Sequence, residues 1–299
     1  MYKYTILKTD EEVFNLLNKW KTSNCNLIGV DFEGEFNLHI YGEHLCLIQI
    51  YDNSDFYIID PFLVSKAALQ AFLESEWLQK IWFDCSSDGN LVWKNYNIKI
   101  KNIFDIYLAA KLLGISGNLS FLINHFSLNK ENATPDDVAK NEKKKNQKTN
   151  WLKRPLDNEQ LTYALSDVAY LFLLKDLLEK ETAKQQKQNA LINIMKNPLH
   201  IKTDIIPGYE KLPRWQRLTN EQKIFAKYFY EARDTVAKKL NKPAFMILDK
   251  HVLVDIACKV PQNETHFKII CGNNNQKIES LFIPLLLKAK EKALSEINN

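Results

Sequence analysis

Residues 26–33 read NLIGVDFE, an apolar run that ends in two acidic side chains. A short apolar run of this kind predicts a buried strand. Side chains two apart along a strand point to the same face, so Asp31 and Glu33 share a face with Gly29. The other face then carries Ile28, Val30 and Phe32. Taken alone, two acids at this spacing are better explained by a strand that emerges into solvent.

Strand and helix patterns surround this run along the chain. Further strands are predicted over 4–7, 45–52, 56–60 and 80–84, and helices over 9–20, 65–76, 86–95, 119–126 and 157–179. Residues 102–114 begin as an extended segment and become helical. This mixture predicts an α/β domain over residues 1–195. Residues 196–213 hold three prolines and a glycine and predict a linker, and helical periodicity over 214–299 predicts a small all-α domain.

Other acidic residues occur where strands end or helices run. Tyr163 and Asp167 lie four apart in the helix LTYALSDVAYL, so they stack on one face among apolar neighbours. A buried aspartate in such a helix is costly unless it is paired or bound to a metal, although a plain polar stripe explains the pair as well. Asp88 is alternatively a helix N-terminal acid that favours the dipole, and Asp105 a helix cap.

Together these residues indicate one kind of chemistry. Hydrolysis of a phosphodiester needs a nucleophilic water and a stabilised leaving oxygen, and two divalent ions roughly 3.5–4 Å apart provide both. Several carboxylates must converge to hold hard cations such as Mg²⁺ through oxygen ligands. Strand-borne and helix-borne carboxylates can converge in this way, and a tyrosine hydroxyl one helical turn from a ligand can orient the attacking water.

The ordered motifs VDFEG, LCLIQI, KIWFDCSSDGNLVW, NIFDIYLAAKLLG and NWLKRPLDNEQLTYALSDVAYL resemble the DEDDy exonucleases, and ribonuclease D in particular. The resemblance covers about residues 5–185. It implies a ribonuclease H-like fold, a mixed sheet flanked by helices, and 3′–5′ exonuclease activity with two Mg²⁺ or Mn²⁺ ions. It implies metal binding by Asp31, Glu33, Asp88 and Asp167, and positioning of the water by Tyr163. Asp105 matches a recurrent acid whose role is more often structural.

Two positions depart from that resemblance. Phe32 stands where bacterial ribonuclease D usually has threonine, and Gly34 where an aromatic residue is usual. Phe32 is predicted to point away from the carboxylate face, so we expect metal binding to survive. Residues beside Glu33 lie near the terminal nucleotide in this family, so the departures bear mainly on substrate preference.

The segment that follows the linker resembles an HRDC domain through Arg233, Ala237, Pro243, the run ILDKHVLVDIA and Pro261. Residues 211–299 carry 16 Lys+Arg against 9 Asp+Glu, a net charge of +7, and residues 1–210 a net charge of −3. A basic domain suits contact with phosphates, although a solvated basic face explains it too. The candidate RNA-binding lysines are Lys143, Lys144, Lys145, Lys148, Lys238, Lys239 and Lys242.

The sequence therefore predicts a 3′–5′ exoribonuclease that releases 5′-mononucleotides from single-stranded RNA 3′ ends, with tRNA precursors or other stable RNAs as substrates. A single-stranded DNA exonuclease and a non-catalytic RNA-binding adaptor on the same fold remain alternatives. No obligatory protein partner, membrane span or signal peptide is predicted. Five scattered cysteines without CxxC spacing favour the cytoplasm, and the six histidines form no ligand-like cluster.

Overall fold

The computed structural model describes residues 2–128, 149–202, 206–271 and 276–299. The chain divides into two compact units. The first comprises residues 1–35 and 43–202, and the second residues 36–42 and 203–299. The division at 202/203 falls inside the predicted linker 196–213. The segment 36–42 lies inside the predicted first domain along the chain but packs with the helical unit, and the predicted domain bounds stay a prediction.

The first unit is built on one sheet, for which six strands are counted within the described residues, in the order β1-β4-β3-β2-β5-β6. β1 pairs with β4, β2 with β5 and β5 with β6 in parallel, and β3 runs antiparallel to β4. The sheet is therefore mixed, as predicted. The strands are β1 Tyr4–Leu7, β2 Leu27–Phe36, β3 Glu43–Tyr51, β4 Phe56–Ile59, β5 Gln79–Trp82 and β6 Ile103–Asp105.

Helices cover both faces of this sheet. Local signals fix several of their starts: Thr9 with Glu12 and Asp157 with Gln160 form capping boxes that satisfy backbone N–H groups. The predicted helix over 157–179 is in fact two helices, which meet at Tyr170. The helices are α1 Asp10–Thr22, α2 Lys66–Leu73, α3 Ser86–Tyr96, α4 Ile106–Leu112, α5 Leu119–His125, α6 Asn158–Ala169, α7 Leu171–Lys184 and α8 Gln188–Met195.

The two faces of β2 have different surroundings, and this difference places the site. Ile28, Val30 and Phe32 are buried in a core formed with α1, α2 and α3. Gly29 faces the opposite side, where the ends of α6 and α7 pack against the strand. The predicted alternation along residues 28–33 is therefore confirmed, and the two acids lie on the face that the α6–α7 junction covers.

One buried cation in this unit was not predicted. Lys80 of β5 is fully buried, and its Nζ donates to the carbonyl oxygens of Ser75, Leu78 and Lys101 at 2.8, 2.9 and 3.0 Å. These acceptors use all three N–H donors of the ammonium group. Burial lowers the pKa of Lys80 to about 7. Lys80 thus joins the segment before β5 to the segment that leads into β6.

The second unit is helical. Phe229 lies at the centre of its core, and Tyr41, from the segment 36–42, packs against that core. The Tyr41 hydroxyl donates to the carboxylate of Asp234, with O–O distances of 3.0 and 2.9 Å. None of the described helices in either unit is long and apolar enough to cross a bilayer. The helices are α9 Asn220–Leu240, α10 Ala244–Ile247, α11 Lys250–Cys258, α12 Glu264–Cys271 and α13 Gln276–Asn298.

Candidate active site

Three of the predicted metal ligands come together at the centre of the sheet. Asp31 and Glu33 project from β2 and Asp167 from α6, and each offers one carboxylate oxygen within 4.8 Å of the others. All three side chains are half-buried. A search of the described residues for three or more clustered His, Cys, Asp or Glu side chains that could hold a metal ion finds this group.

A missing side chain explains how the helix junction approaches the strand so closely. A Cβ at Gly29 would lie 3.3 Å from the carbonyl oxygen of Val168 and 3.3 Å from Cδ1 of Leu171. These contacts are tighter than ordinary van der Waals packing, so with a larger residue Val168 or Leu171 would have to shift by a few tenths of an ångström. Gly29 thereby allows the junction of α6 and α7 to lie close to β2.

The three carboxylates form a site that a cation would stabilise. Burial, followed by the charges of Asp88, Asp167 and Glu33, raises the pKa of Asp31 well above its usual range. Burial and the charges of Asp167 and Asp88 raise the pKa of Glu33 in the same way. Clustered carboxylate oxygens are the donor set that hard divalent cations prefer. The residues present therefore fit a divalent metal ion.

Asp88, the fourth predicted ligand, lies near this group but outside its tightest part. It occupies the first turn of α3, and its charge contributes to the raised pKa values of Asp31 and Glu33. Its Oδ2 accepts a hydrogen bond from the indole Nε1 of Trp82 at 2.8 Å. Burial raises the pKa of Asp88 to about 7, and the bond from Trp82 opposes that shift.

Asp105 acts on the backbone, as the structural interpretation of this residue predicts. It is buried at the end of β6 and caps α4 by accepting from the N–H groups of Tyr107 and Leu108. It also accepts from the N–H of Asp84 at 3.2 Å and of Cys85 at 2.9 Å. Asp105 thus holds the turn from which α3, with Asp88, begins.

Tyr163 lies one helical turn before Asp167, as its spacing predicts. Burial raises the pKa of its phenol, the charges of Asp167, Glu33 and Asp31 raise it further, and so does a hydrogen bond to Asp167. The ring of Trp151 lies beside it, with 6.2 Å between ring centroids. The hydroxyl therefore belongs to the same cluster as the acids, and the ring is held by packing.

Arg154 supports the site in a way that its sequence did not reveal. Its guanidinium grips Asp60, with Nε–Oδ2 and Nη2–Oδ1 distances of 2.7 and 3.1 Å, and donates to the carbonyl oxygen of Cys46 at 2.7 Å. The segment before α6 is thereby fastened to β3 and to the end of β4. Arg154 lies in the run NWLKRPL that precedes α6, and the identity of its partners depends on tertiary packing.

The structure describes three of the seven predicted lysines. Lys238 and Lys239 lie exposed in the last turn of α9, and Lys242 is half-buried just beyond it. Lys143, Lys144, Lys145 and Lys148 lie outside the described residues. The RNA-binding role of all seven stays a prediction.

Comparison with known proteins identifies the family. A family model described as 3′–5′ exonuclease matches residues 4–183, which is more than half of the chain and includes the whole acidic cluster. This chain belongs to the 3′–5′ exonuclease family. A second model, the HRDC domain, matches residues 223–289. The predicted order of an exonuclease domain followed by an HRDC domain is confirmed.

Two curated relatives and one solved structure illustrate the similarity. Ribonuclease D of Desulfotalea psychrophila is 27% identical over 267 residues, which cover 87% of this chain and 68% of the relative. Ribonuclease D of Haemophilus influenzae is 33% identical over 175 residues, covering 56% of this chain and 41% of the relative. The catalytic core of RRP6 from Trypanosoma brucei superposes with a TM-score of 0.76 at 22% identity, covering 99% of this chain and 81% of that one.

These relationships decide the fold and the class of the enzyme. The likeness to the RRP6 core shows a shared fold, in agreement with the predicted ribonuclease H-like domain. The match covers less than two thirds of the length of some relatives, for example 41% of the Haemophilus influenzae ribonuclease D. The properties of those whole proteins are therefore not assigned to this chain. As an exonuclease of this family, the chain is expected to use divalent metal ions, and the acidic cluster supplies suitable ligands.

Proposed function

We propose that this protein is a 3′–5′ exoribonuclease of the ribonuclease D type, which removes 5′-mononucleotides one at a time from RNA 3′ ends. The observation that carries the proposal is the convergence of Asp31, Glu33 and Asp167 within 4.8 Å, inside a chain that matches the 3′–5′ exonuclease family. Ribonuclease D relatives and the accompanying HRDC domain favour RNA as the substrate.

We assign metal binding to Asp31, Glu33, Asp88 and Asp167, with Mg²⁺ or Mn²⁺ as the ions. Two such ions, when bound, supply a nucleophilic water and stabilise the leaving oxygen. The carboxylates contribute by converging from β2, α3 and α6, elements whose positions are fixed by packing. Burial first, and then the charges of the neighbouring carboxylates, raises the pKa values of Asp31 and Glu33, and both effects favour cation binding.

We assign to Tyr163 the orientation of the attacking water through its hydroxyl. The ring is half-buried and packs near Trp151, so the hydroxyl is held in a defined place beside Asp167. A group that holds a water in line for attack lowers the barrier by orientation. Phenylalanine at this position would keep the packing and lose that effect.

The helical unit is proposed to hold RNA beyond the terminal nucleotides. Its positive charge suits a polyanion, and Lys238 and Lys239 are exposed at the end of α9, without an ion pair among the described residues. Contacts of this kind are independent of sequence and release counterions. They suit a nuclease that must accept many RNA sequences at its active site.

The natural substrates are proposed to be precursors of tRNA or other stable RNAs in the cytoplasm. The compartment is supported by the five cysteines, all of which are described and all of which are free thiols. Folded RNAs with single-stranded 3′ ends would present a few unpaired nucleotides to the acidic cluster and duplex phosphates to basic surfaces.

The test is a cleavage assay on 5′-labelled single-stranded RNA and on DNA of the same sequence. Each is incubated with Mg²⁺, with Mn²⁺ or with EDTA, and the Asp31→Asn protein purified in parallel controls for contaminating nuclease. We expect a ladder that shortens by single nucleotides on RNA, requires the cation and is absent with Asp31→Asn. Faster cleavage of DNA would favour the DNA exonuclease alternative. Binding of RNA without any ladder would favour the adaptor.

A further inference from the structure

The carboxylate of Asp88 is held by a non-acidic side chain of the same motif, the indole of Trp82. Trp82 ends β5, and its indole Nε1 donates to Oδ2 of Asp88 at 2.8 Å. The two residues lie six apart, on either side of the turn that joins β5 to α3. This bond restrains the orientation of the carboxylate through Oδ2, and the indole makes no bond to Oδ1.

Trp82 is well suited to orient another side chain because packing restrains its own indole ring. Its side chain is fully buried, and the ring of Phe32 meets it edge to face, with centroids 4.8 Å apart and an interplanar angle of 84°. Its backbone is paired with Asp105 of β6, the residue that also holds the following turn. Phe32 in turn lies between Asp31 and Glu33 in β2.

We propose that Trp82 is a positioning residue for the metal site, which orients Asp88 as a ligand through its indole N–H. This inference rests on the proposed function, because it takes Asp88 to be a ligand. A partner that orients a ligand commonly affects metal affinity by 10- to 100-fold. The contact between Phe32 and Trp82 gives a role to Phe32, which stands where threonine is usual, because its ring packs against the indole that orients Asp88.

The chain contains a matched control for this bond. Trp20 is also almost completely buried in the same core, and its Nε1 donates to Oδ2 of Asp52 at 2.9 Å. Asp52 is not among the clustered carboxylates. Trp20→Phe therefore removes a buried indole N–H and its aspartate partner's hydrogen bond, as Trp82→Phe does, without touching the proposed metal site.

The experiment measures Mn²⁺ affinity by calorimetry for the wild-type full chain, Trp82→Phe, Trp20→Phe and Asp88→Ala. We expect Trp82→Phe to weaken Mn²⁺ binding by on the order of 10-fold. Trp20→Phe should bind as the wild type does, although it loses comparable thermal stability. Equal effects of the two tryptophan substitutions, or no effect of Trp82→Phe, would overturn the proposal.

A double variant separates positioning from general loosening of the core. If Trp82 acts through Asp88, Trp82→Phe adds nothing to the loss caused by Asp88→Ala, whereas independent effects would add. Additive effects would contradict the proposal. The proposed function fails separately: wild-type Mn²⁺ affinity in Asp88→Ala would remove Asp88 from the ligand set. If Asp88→Ala binds Mn²⁺ weakly and Trp82→Phe binds it normally, only the positioning role of Trp82 is rejected and Asp88 stays a ligand.

The wild-type protein offers a measurement that does not depend on folding of a variant. The experiment follows the indole N–H resonances of the six tryptophans by ¹H–¹⁵N NMR during titration with Mg²⁺ alone. We expect the Trp82 resonance to shift as the cation binds and the Trp20 resonance to stay in place. A stationary Trp82 resonance at saturating Mg²⁺ would count against the proposal.

Discussion

The exonuclease unit and the helical unit place their charges in opposite ways. The exonuclease unit crowds half-buried carboxylates together and encloses the ammonium group of Lys80. The helical unit builds its core from apolar side chains, with Arg233 as the charged residue buried among those described, and leaves Lys238 and Lys239 exposed. In the first unit, charge is bound up with both chemistry and stability. In the second, charge can change while the core stays intact.

Removing one of the clustered acids should have the largest effect on activity, because in the exonuclease unit these charges are needed for the chemistry. We expect Asp31→Asn and Asp167→Asn each to lower hydrolysis by about a thousand-fold or more, since several kcal/mol of metal-derived stabilisation are lost. Circular dichroism should be unchanged and RNA binding retained. Mg²⁺ should raise the melting temperature of the wild type by several degrees and leave the variants unmoved. Near-normal cleavage by either variant would end the two-metal assignment.

Tyr163→Phe should affect chemistry alone. Because the ring keeps its packing near Trp151, we expect unchanged stability and a kcat about 100-fold lower, with little change in KM. Single-turnover cleavage of a short RNA measures the chemical step. A rate equal to that of the wild type would make Tyr163 a packing residue only.

Lysine-to-methionine substitution in each unit sharpens the comparison. Lys80→Met leaves three carbonyl oxygens, one buried and two partly buried, without their donor, so we expect a loss of about 2–3 kcal/mol in the free energy of unfolding. Lys238→Met changes an exposed side chain and should stay within about 0.5 kcal/mol of the wild type. Urea denaturation measures both values. Similar losses in the free energy of unfolding for the two variants would contradict the proposed difference between the units.

The smallest effect is expected when the helical unit loses charge from its surface. Lys238, Lys239 and Lys242 changed together to Gln should raise KM a few-fold and leave kcat unchanged, because these lysines act equally on bound substrate and transition state. The log-log salt slope of RNA binding should become shallower by about 0.7 for each phosphate that is no longer neutralised. An unchanged slope would show that the lysines do not touch RNA. Truncation is a less clean test, because residue Tyr41 would lose its partner Asp234.

Much of the fold and the placement of the acids follow from local patterns. Alternation along residues 28–33 correctly separated the carboxylates from Ile28, Val30 and Phe32. Thr9 and Glu12 correctly marked the start of α1, because a capping box is a contact between near neighbours. Tyr163 and Asp167 share a helical turn for the same local reason.

What escaped prediction depends on contacts between distant segments. The break at Tyr170 interrupts a continuous apolar period, and nothing in that period marks it. The burial of Lys80 depends on three carbonyl oxygens from two separate segments, which no local pattern marks. The bond from Trp82 to Asp88 depends on the side-chain conformation of a buried indole, which packing decides. The catalytic roles of the acids and Tyr163 remain predictions for the assays above.

The placement of residues 36–42 in the helical unit has a consequence for how the chain is made. Tyr41 leaves the ribosome more than 160 residues before any part of 203–299, the rest of the unit in which it packs. At about 5–20 residues per second, that interval lasts roughly 8 to 30 seconds. During translation the segment must wait without its partner Asp234. A continuous stretch that begins at residue 203 therefore lacks Tyr41, one of the side chains that packs against the core of the helical unit.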